Sequence, residues 1–218
     1  YSKDYWNSMA ELGWLGLPFK EEDGGFGGNQ IDTLVIMEQF GKGLVLEPFL
    51  ANIVLGGGAI QMGGSEELKN EMLSSLIEGS KQLTLAYAEQ QSRFDLEDVA
   101  TSARKEGEKY IINGQKSMVL NAESADHLVV VTRTNGGQVD EEGITLFLVD
   151  SDSKGLERNN FPTVDGLRAS EITFNNVEVN SERMIGDLDK GFIILRAITN
   201  NAILALCAEA VGAMEVLY

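Results

Sequence analysis

One cysteine, Cys207, one histidine, His127, and three prolines are all that the 218 residues hold of those types. A single thiol closes no disulfide within the chain, and one Cys with one His builds no zinc cluster, so no metal site is expected. Positive charge is scarce as well. Lys and Arg number 17 against 34 Asp and Glu, leaving a net charge of −17 at pH 7. A surface of that sign repels nucleic-acid phosphates and anionic membranes, so neither is expected as a partner. Uninterrupted apolar runs such as Ile203–Cys207 fall short of the roughly 20 residues that span a bilayer. No basic start followed by an apolar core marks a secretory signal, and with the lone thiol this points to a cytoplasmic protein. The chain opens at Tyr1 without a methionine, which suggests that residues precede it.

What is present is ordinary globular content. Hydrophobic residues make up 43%, and a chain of this size buries roughly 70 to 75% of its unfolded surface as one large or two small domains. Residues 1–82 read as a helical N-terminal domain. Tyr5, Trp6, Met9 and Leu12 fall on one helical face with Ser2 placed to cap it, and Ile31 to Phe40 form a second helix that stops at Gly41. Pro48 suits the first turn of a third helix towards Met62, and Ser65 caps a fourth that runs to Ile77 and ends at Gly79.

From Leu83 the pattern turns to short β runs: 83–88, 99–104, 110–112, 128–134, 144–149 and 172–179. Asn113-Gly114 predicts a tight type I′ hairpin. Strands at this spacing without intervening helices predict an antiparallel sandwich or barrel over 83–182 rather than a parallel doubly wound sheet. Past Gly191 the residues form one long, largely buried apolar helix within 183–218, which needs other helices to pack against. The fold class is α+β.

Several features invite chemistry and have plainer explanations. Gly24–Gly28 and Gly56–Gly58 lack the strand-glycine-helix spacing of a phosphate loop, and read as a connection and as close helix packing. His127 has no serine or cysteine partner for base catalysis. Cys207 reads as a small buried side chain of the apolar helix, and Asp140-Glu141-Glu142 as a solvated turn rather than a calcium site. Glu89, Arg93, Asp95, Glu97 and Asp98 crowd one loop, where site material and solvated charge are equally plausible.

Specific stretches carry a family resemblance. Gly16-Leu17-Pro18 with Glu22-Asp23-Gly24-Gly25, then Ala86-Tyr87-Ala88-Glu89 to Asp95, Tyr110–Lys116, Gly166-Leu167-Arg168-Ala169-Ser170, Ile185-Gly186 and Gly191-Phe192 together resemble the acyl-CoA dehydrogenase family along nearly the whole chain. The resemblance implies an FAD enzyme that removes a proton and a hydride from adjacent carbons of an acyl-CoA substrate and passes electrons to an electron-transfer flavoprotein. It also implies that 183–218 begins a C-terminal helical domain. Leu85, Ala86, Tyr87 and Ala88, with Met118, Val119 and Leu120, occupy the positions that line the flavin, and Arg93 and Phe94 are candidate substrate contacts. The family's catalytic base belongs to the C-terminal helical domain, so no catalytic residue is assigned within these 218 residues, and the chain alone is expected to be inactive.

The departures are as informative. Gln90, Arg93 and Phe94 stand where the family has proline, glycine and serine, Met118 replaces the tryptophan that covers the flavin, and Leu120 replaces the hydroxyl that bonds flavin N5. These exchanges argue against conventional FAD binding by this chain alone, although Arg93 can pair with a phosphate. Residues 88–95 and 162–169 further resemble one branch, the small subunit of pimeloyl-CoA dehydrogenase, implying a dicarboxylyl thioester and an oligomer with another acyl-CoA dehydrogenase subunit. Two functions follow: a subunit or fragment of an acyl-CoA dehydrogenase, or a non-catalytic partner that completes or stabilises a heteromeric enzyme. Met118 and Leu120, sharing strand parity, are expected to face the flavin cleft together.

Overall fold

The computed structural model describes residues 1–218. The Ser2 hydroxyl accepts from the Tyr5 N–H at 3.3 Å and starts α1 (Lys3–Glu11), which buries Trp6 and Met9. Asn29 and Asp32 close a reciprocal capping box at the head of α2 (Gln30–Gly43). The expected stop at Gly41 is not there. The helix runs two residues further, because Gly41 serves a helix crossing: a Cβ on it would lie 1.9 Å from the Glu209 carbonyl oxygen.

After Pro48 comes a π-helical segment, Leu50–Gly57, every residue of it buried except Leu50, which continues into α3 (Gly58–Gly63). Ser65 caps α4 (Glu66–Ile77) by accepting from the Leu68 N–H.

Eight strands follow: β1 (Leu83–Ala86), β2 (Ser102–Glu106), β3 (Lys109–Leu120), β4 (His127–Arg133), β5 (Ile144–Asp150), β6 (Leu156–Pro162), β7 (Arg168–Asn180) and β8 (Met184–Ile185). Their order is β6-β7-β3-β2-β4-β5-β8, with β1 added beside β4. Most pairs are antiparallel, but β1 runs parallel to β4, and β2 meets β4 through the parallel pair Ser102 and Arg133. The sheet is therefore mixed, which corrects the antiparallel expectation, and no helix crosses between its strands.

The Asn113-Gly114 hairpin is also absent. Both residues lie inside the continuous strand β3, and the chain reverses instead at Gly107-Glu108, where Glu106 pairs with Lys109. Gly114 is there for space, since its Cβ would meet the Thr101 Cα at 2.6 Å. The Asn113 Oδ1 accepts from the Asn176 N–H at 2.9 Å, where β7 bulges with Asn176 at φ +52°. β6, a polar edge strand exposed along nearly its whole length, has no apolar run to announce it.

β4 and β5 are buried on both faces, which is why they read as unbroken apolar runs. Leu128, Val130, Phe147 and Val149 face the barrel interior with Tyr110, Ile112, Phe174 and Val177. Val129, Val131, Leu146 and Leu148 turn the other way and join the helices in one larger core.

α5 (Gly191–Leu217) closes that core with Phe192, Leu195, Ile198 and Ala202. It is buried along one side only. Ile193, Ile203, Leu206, Val211 and Met214 are exposed, and Cys207 is exposed with them, contrary to its expected burial. The reason is geometric: α2, α3, the π-helical segment and β5 cover α5 from one side. By length and composition α5 is also apolar enough to cross a membrane, which counting uninterrupted runs overlooked.

Candidate functional site

The two segments expected to line a cofactor meet in space. β1 leaves the barrel at Tyr87-Ala88 and passes beside β3, where the Ala88 carbonyl accepts from the Ser117 N–H at 2.8 Å. The Thr84 hydroxyl ties the same strands together by donating to the Leu120 carbonyl at 2.6 Å.

Behind this contact lies a buried ion pair. The Lys116 Nζ is 2.6 Å from the Glu89 Oε1 and 3.1 Å from the Tyr87 carbonyl, with both charged side chains almost fully enclosed. Glu89 also accepts from the Ala100 and Thr101 N–H groups and from Gln91. Burial pushes the Lys116 amine down to about 8, opposed by the Glu89 charge. Burial acts to raise the Glu89 carboxyl, but the Lys116 charge and the hydrogen bonds win and hold it below the usual carboxylate range. The pair fastens both ends of the Glu89–Thr101 loop to β3. The Arg133 guanidinium completes the frame by donating to four carbonyls, those of Glu97, Gln138, Asp140 and Glu142.

Sequence reasoning missed Lys116 and Arg133. A signal existed for the first: Lys116 keeps the parity of the buried Tyr110 and Ile112 on β3, and a lysine facing a core requires a partner.

β3 bulges between Lys116 and Val119, where Met118 adopts φ +52°. The bulge reverses the parity, so Val119 turns into the barrel and Met118 stands 51% exposed. Met118 and Leu120 still lie outside the sandwich core, but the bulge rather than simple alternation puts them there. Leu85, Ala86 and Val119 are buried in the two cores, which leaves Tyr87, Ala88, Met118 and Leu120 as the side chains of the candidate surface. Arg93 and Phe94 are not brought to it. Turns from Glu89 to Ser92 and from Ser92 to Asp95 put them at a loop tip, with Phe94 97% exposed and Arg93 at φ +50°.

Beside Leu120 a cavity of about 170 Å³ opens where the helices meet the barrel. Met37, Phe40, Phe49, Leu50, Leu120 and Leu206 give it an apolar lining, and Glu47, Asp165, Arg168 and Glu209 are its charged members. It draws on α2, the segment before α3, the end of β3, the β6–β7 loop and α5. His127 lies elsewhere: its Nδ1 is 2.8 Å from Asp150, which Arg183 links to Glu71 of α4.

The residues present fit the body of a flavin. Met118 is half-exposed and Tyr87, Ala88 and Leu120 are half-buried, so the meeting of the two segments presents mainly apolar side chains, with Leu120 also lining the cavity and offering no side-chain donor.

A helical layer packed on a mixed β barrel, the two sharing one core through β4 and β5, defines a two-layer α+β class of fold. The comparisons agree. Residues 1–80 match the acyl-CoA dehydrogenase N-terminal domain and residues 84–177 the acyl-CoA dehydrogenase middle domain, and this chain belongs to the acyl-CoA dehydrogenase family.

It is 30% identical to the short-chain specific acyl-CoA dehydrogenase of Clostridium acetobutylicum over 95% of the chain and 56% of that protein. It is 26% identical to the caffeyl-CoA reductase-Etf complex subunit CarC of Acetobacterium woodii over 99% of the chain and 58% of that protein. The solved FAD complex of PigA superposes with a TM-score of 0.91 at 26% identity, covering 99% of this chain and 58% of that one. The chain thus spans little more than half the length of the relatives it matches.

Proposed function

We propose that this chain forms the flavin-facing wall and the acyl cavity of an FAD-dependent acyl-CoA dehydrogenase, which carries out α,β-dehydrogenation of an acyl-CoA thioester. The observation that carries this reading is the junction at Leu120, which ends the strand that carries the half-exposed Met118 and also lines the cavity between the helices and the barrel. Tyr87, Ala88 and Met118 would hold the isoalloxazine by apolar contact. FAD, when bound, supplies the hydride acceptor. Phe49, Leu50, Leu120 and the half-exposed Leu206 would line the acyl chain from this chain's side.

Removing the α-proton needs a base within about 3 Å of it. Glu89 is locked to Lys116, and Asp95 lies exposed beside the loop tip at Arg93 and Phe94. The 218-residue chain alone is therefore expected to show no turnover.

Electrons would leave to an electron-transfer flavoprotein, in line with the Etf complex named for one relative. The second reading, a non-catalytic partner in a heteromeric enzyme, draws on Leu120, which offers flavin N5 no hydrogen bond. Its cellular place would be the cytoplasm. Absorbance separates the two readings: a visible flavin band near stoichiometry on the protein carrying this chain supports the first, and colour only after a second subunit is added supports the partner role.

A further inference from the structure

The cavity beside Leu120 carries a feature that bears on which acyl chains it takes. Of its three carboxylates, Glu47 accepts from the Ser2 N–H at 3.2 Å, and Asp165 accepts from the Thr163 hydroxyl and the Leu167 N–H. The one cation, Arg168, is paired with Glu123. Glu209 alone has no donor and no cation opposite it. It sits on α5 at the crossing with α2, where its backbone meets Gly41, one turn beyond Leu206.

Resting on the reading of this cavity as the acyl site, we infer that Glu209 is a specificity-determining residue that turns away acyl chains ending in a carboxylate and admits those with a neutral or amine-bearing end. On that reading the reacting carbons lie at Leu120, next to the hydride acceptor, and the remaining length of the chain runs into a part-open cavity of about 170 Å³. A second charge placed in so small a space lies close to the half-buried Glu209 and is only partly screened from it. An anion there meets three carboxylates and one arginine that is already neutralised. A protonated amine meets an unpaired partner. Burial, with the Asp165 charge adding to it, raises the Glu209 carboxyl above its ordinary value, as expected of a carboxylate that nothing compensates. The inference opposes the dicarboxylyl substrate that residues 88–95 and 162–169 suggest.

The test measures dissociation constants by calorimetry on the FAD-loaded protein carrying this chain. The probes are heptanoyl-CoA, 7-aminoheptanoyl-CoA and pimeloyl-CoA, which share chain length and differ in terminal charge. Pimeloyl-CoA is expected to bind at least tenfold more weakly than heptanoyl-CoA at pH 8, with the gap narrowing as pH falls and Glu209 protonates. Glu209→Gln should close most of that gap, and Glu209→Asp should keep it. Equal or tighter binding of pimeloyl-CoA, or a gap untouched by Glu209→Gln, overturns the inference while leaving the acyl site standing. Failure of all three thioesters to bind overturns the acyl-site reading itself. Unchanged affinities with turnover abolished in Glu209→Gln would make Glu209 the proton acceptor and overturn the specificity role.

Discussion

Lys116 shows how much one buried side chain decides. Its ammonium is enclosed with Glu89 and Tyr87, so Lys116→Met strands a buried carboxylate and should cost about 3–5 kcal/mol of stability. The double change Lys116→Met with Glu89→Gln removes both charges and should recover most of that loss; urea denaturation of the three proteins checks it. The pH dependence has a definite sign. The Lys116 amine is lowered to about 8 from its ordinary 10.5, so the folded state binds fewer protons than the unfolded chain between those values. Stability from this group rises as pH climbs from about 8 towards 10.5 and is lost as pH falls back through 8. Denaturation midpoints across that window should show the rise in the native protein, and the double variant should lack it. At Leu120 the expectation concerns the cofactor: Leu120→Thr restores a hydroxyl towards flavin N5, and one net hydrogen bond of about 0.5–1.5 kcal/mol should tighten FAD binding by roughly two- to tenfold. Fluorescence quenching of FAD reads that change.

Among the elements, helix starts were legible and strand irregularities were not. Ser2 and Ser65 cap helices because their side-chain oxygens meet the first free N–H groups, a local event that sequence reports directly; Asn29 caps α2 by the same chemistry and was not read. The stop at Gly41 and the turn at Asn113-Gly114 failed for one shared reason. Both glycines answer to chain segments distant in sequence, α5 in one case and Thr101 in the other. Gly114→Ala, at φ +146°, meets the positive-φ penalty and also drives a methyl into the Thr101 backbone, adding about 1–3 kcal/mol of overpacking to that penalty. Gly107→Ala meets no atom within 4 Å and should cost only the left-handed backbone penalty of about 1–2 kcal/mol. Thermal melts of the two variants should rank them in that order. The bulge at Met118 was hidden for a similar reason, since it is registered against β7 and leaves no mark on the composition of β3. β6 escaped notice because an edge strand in water needs no apolar face.

At the scale of the molecule, the helices and the barrel share one core through β4 and β5, while the cavity draws on five segments that sequence sets far apart. The two segments expected to line the cofactor were picked out by the family motifs they carry, and they meet in the fold, whereas the cavity's lining was not, because no motif spans it. The apolar outer side of α5 is unpartnered in this chain, and a net charge of −17 opposes self-association. Salt screens that repulsion, so the 218-residue chain should associate more strongly at 1 M than at 0.05 M salt, as sedimentation velocity would show. The central claim, that one side chain joins a flavin-facing surface to an acyl cavity, is tested most directly by anaerobic titration of the FAD-loaded protein carrying this chain with a straight-chain acyl-CoA. Loss of the visible band of oxidised flavin is predicted, and Leu120→Trp, which fills the cavity mouth, should abolish that loss. A flavin band that stays intact with every acyl-CoA, or one that Leu120→Trp leaves free to bleach, would contradict it.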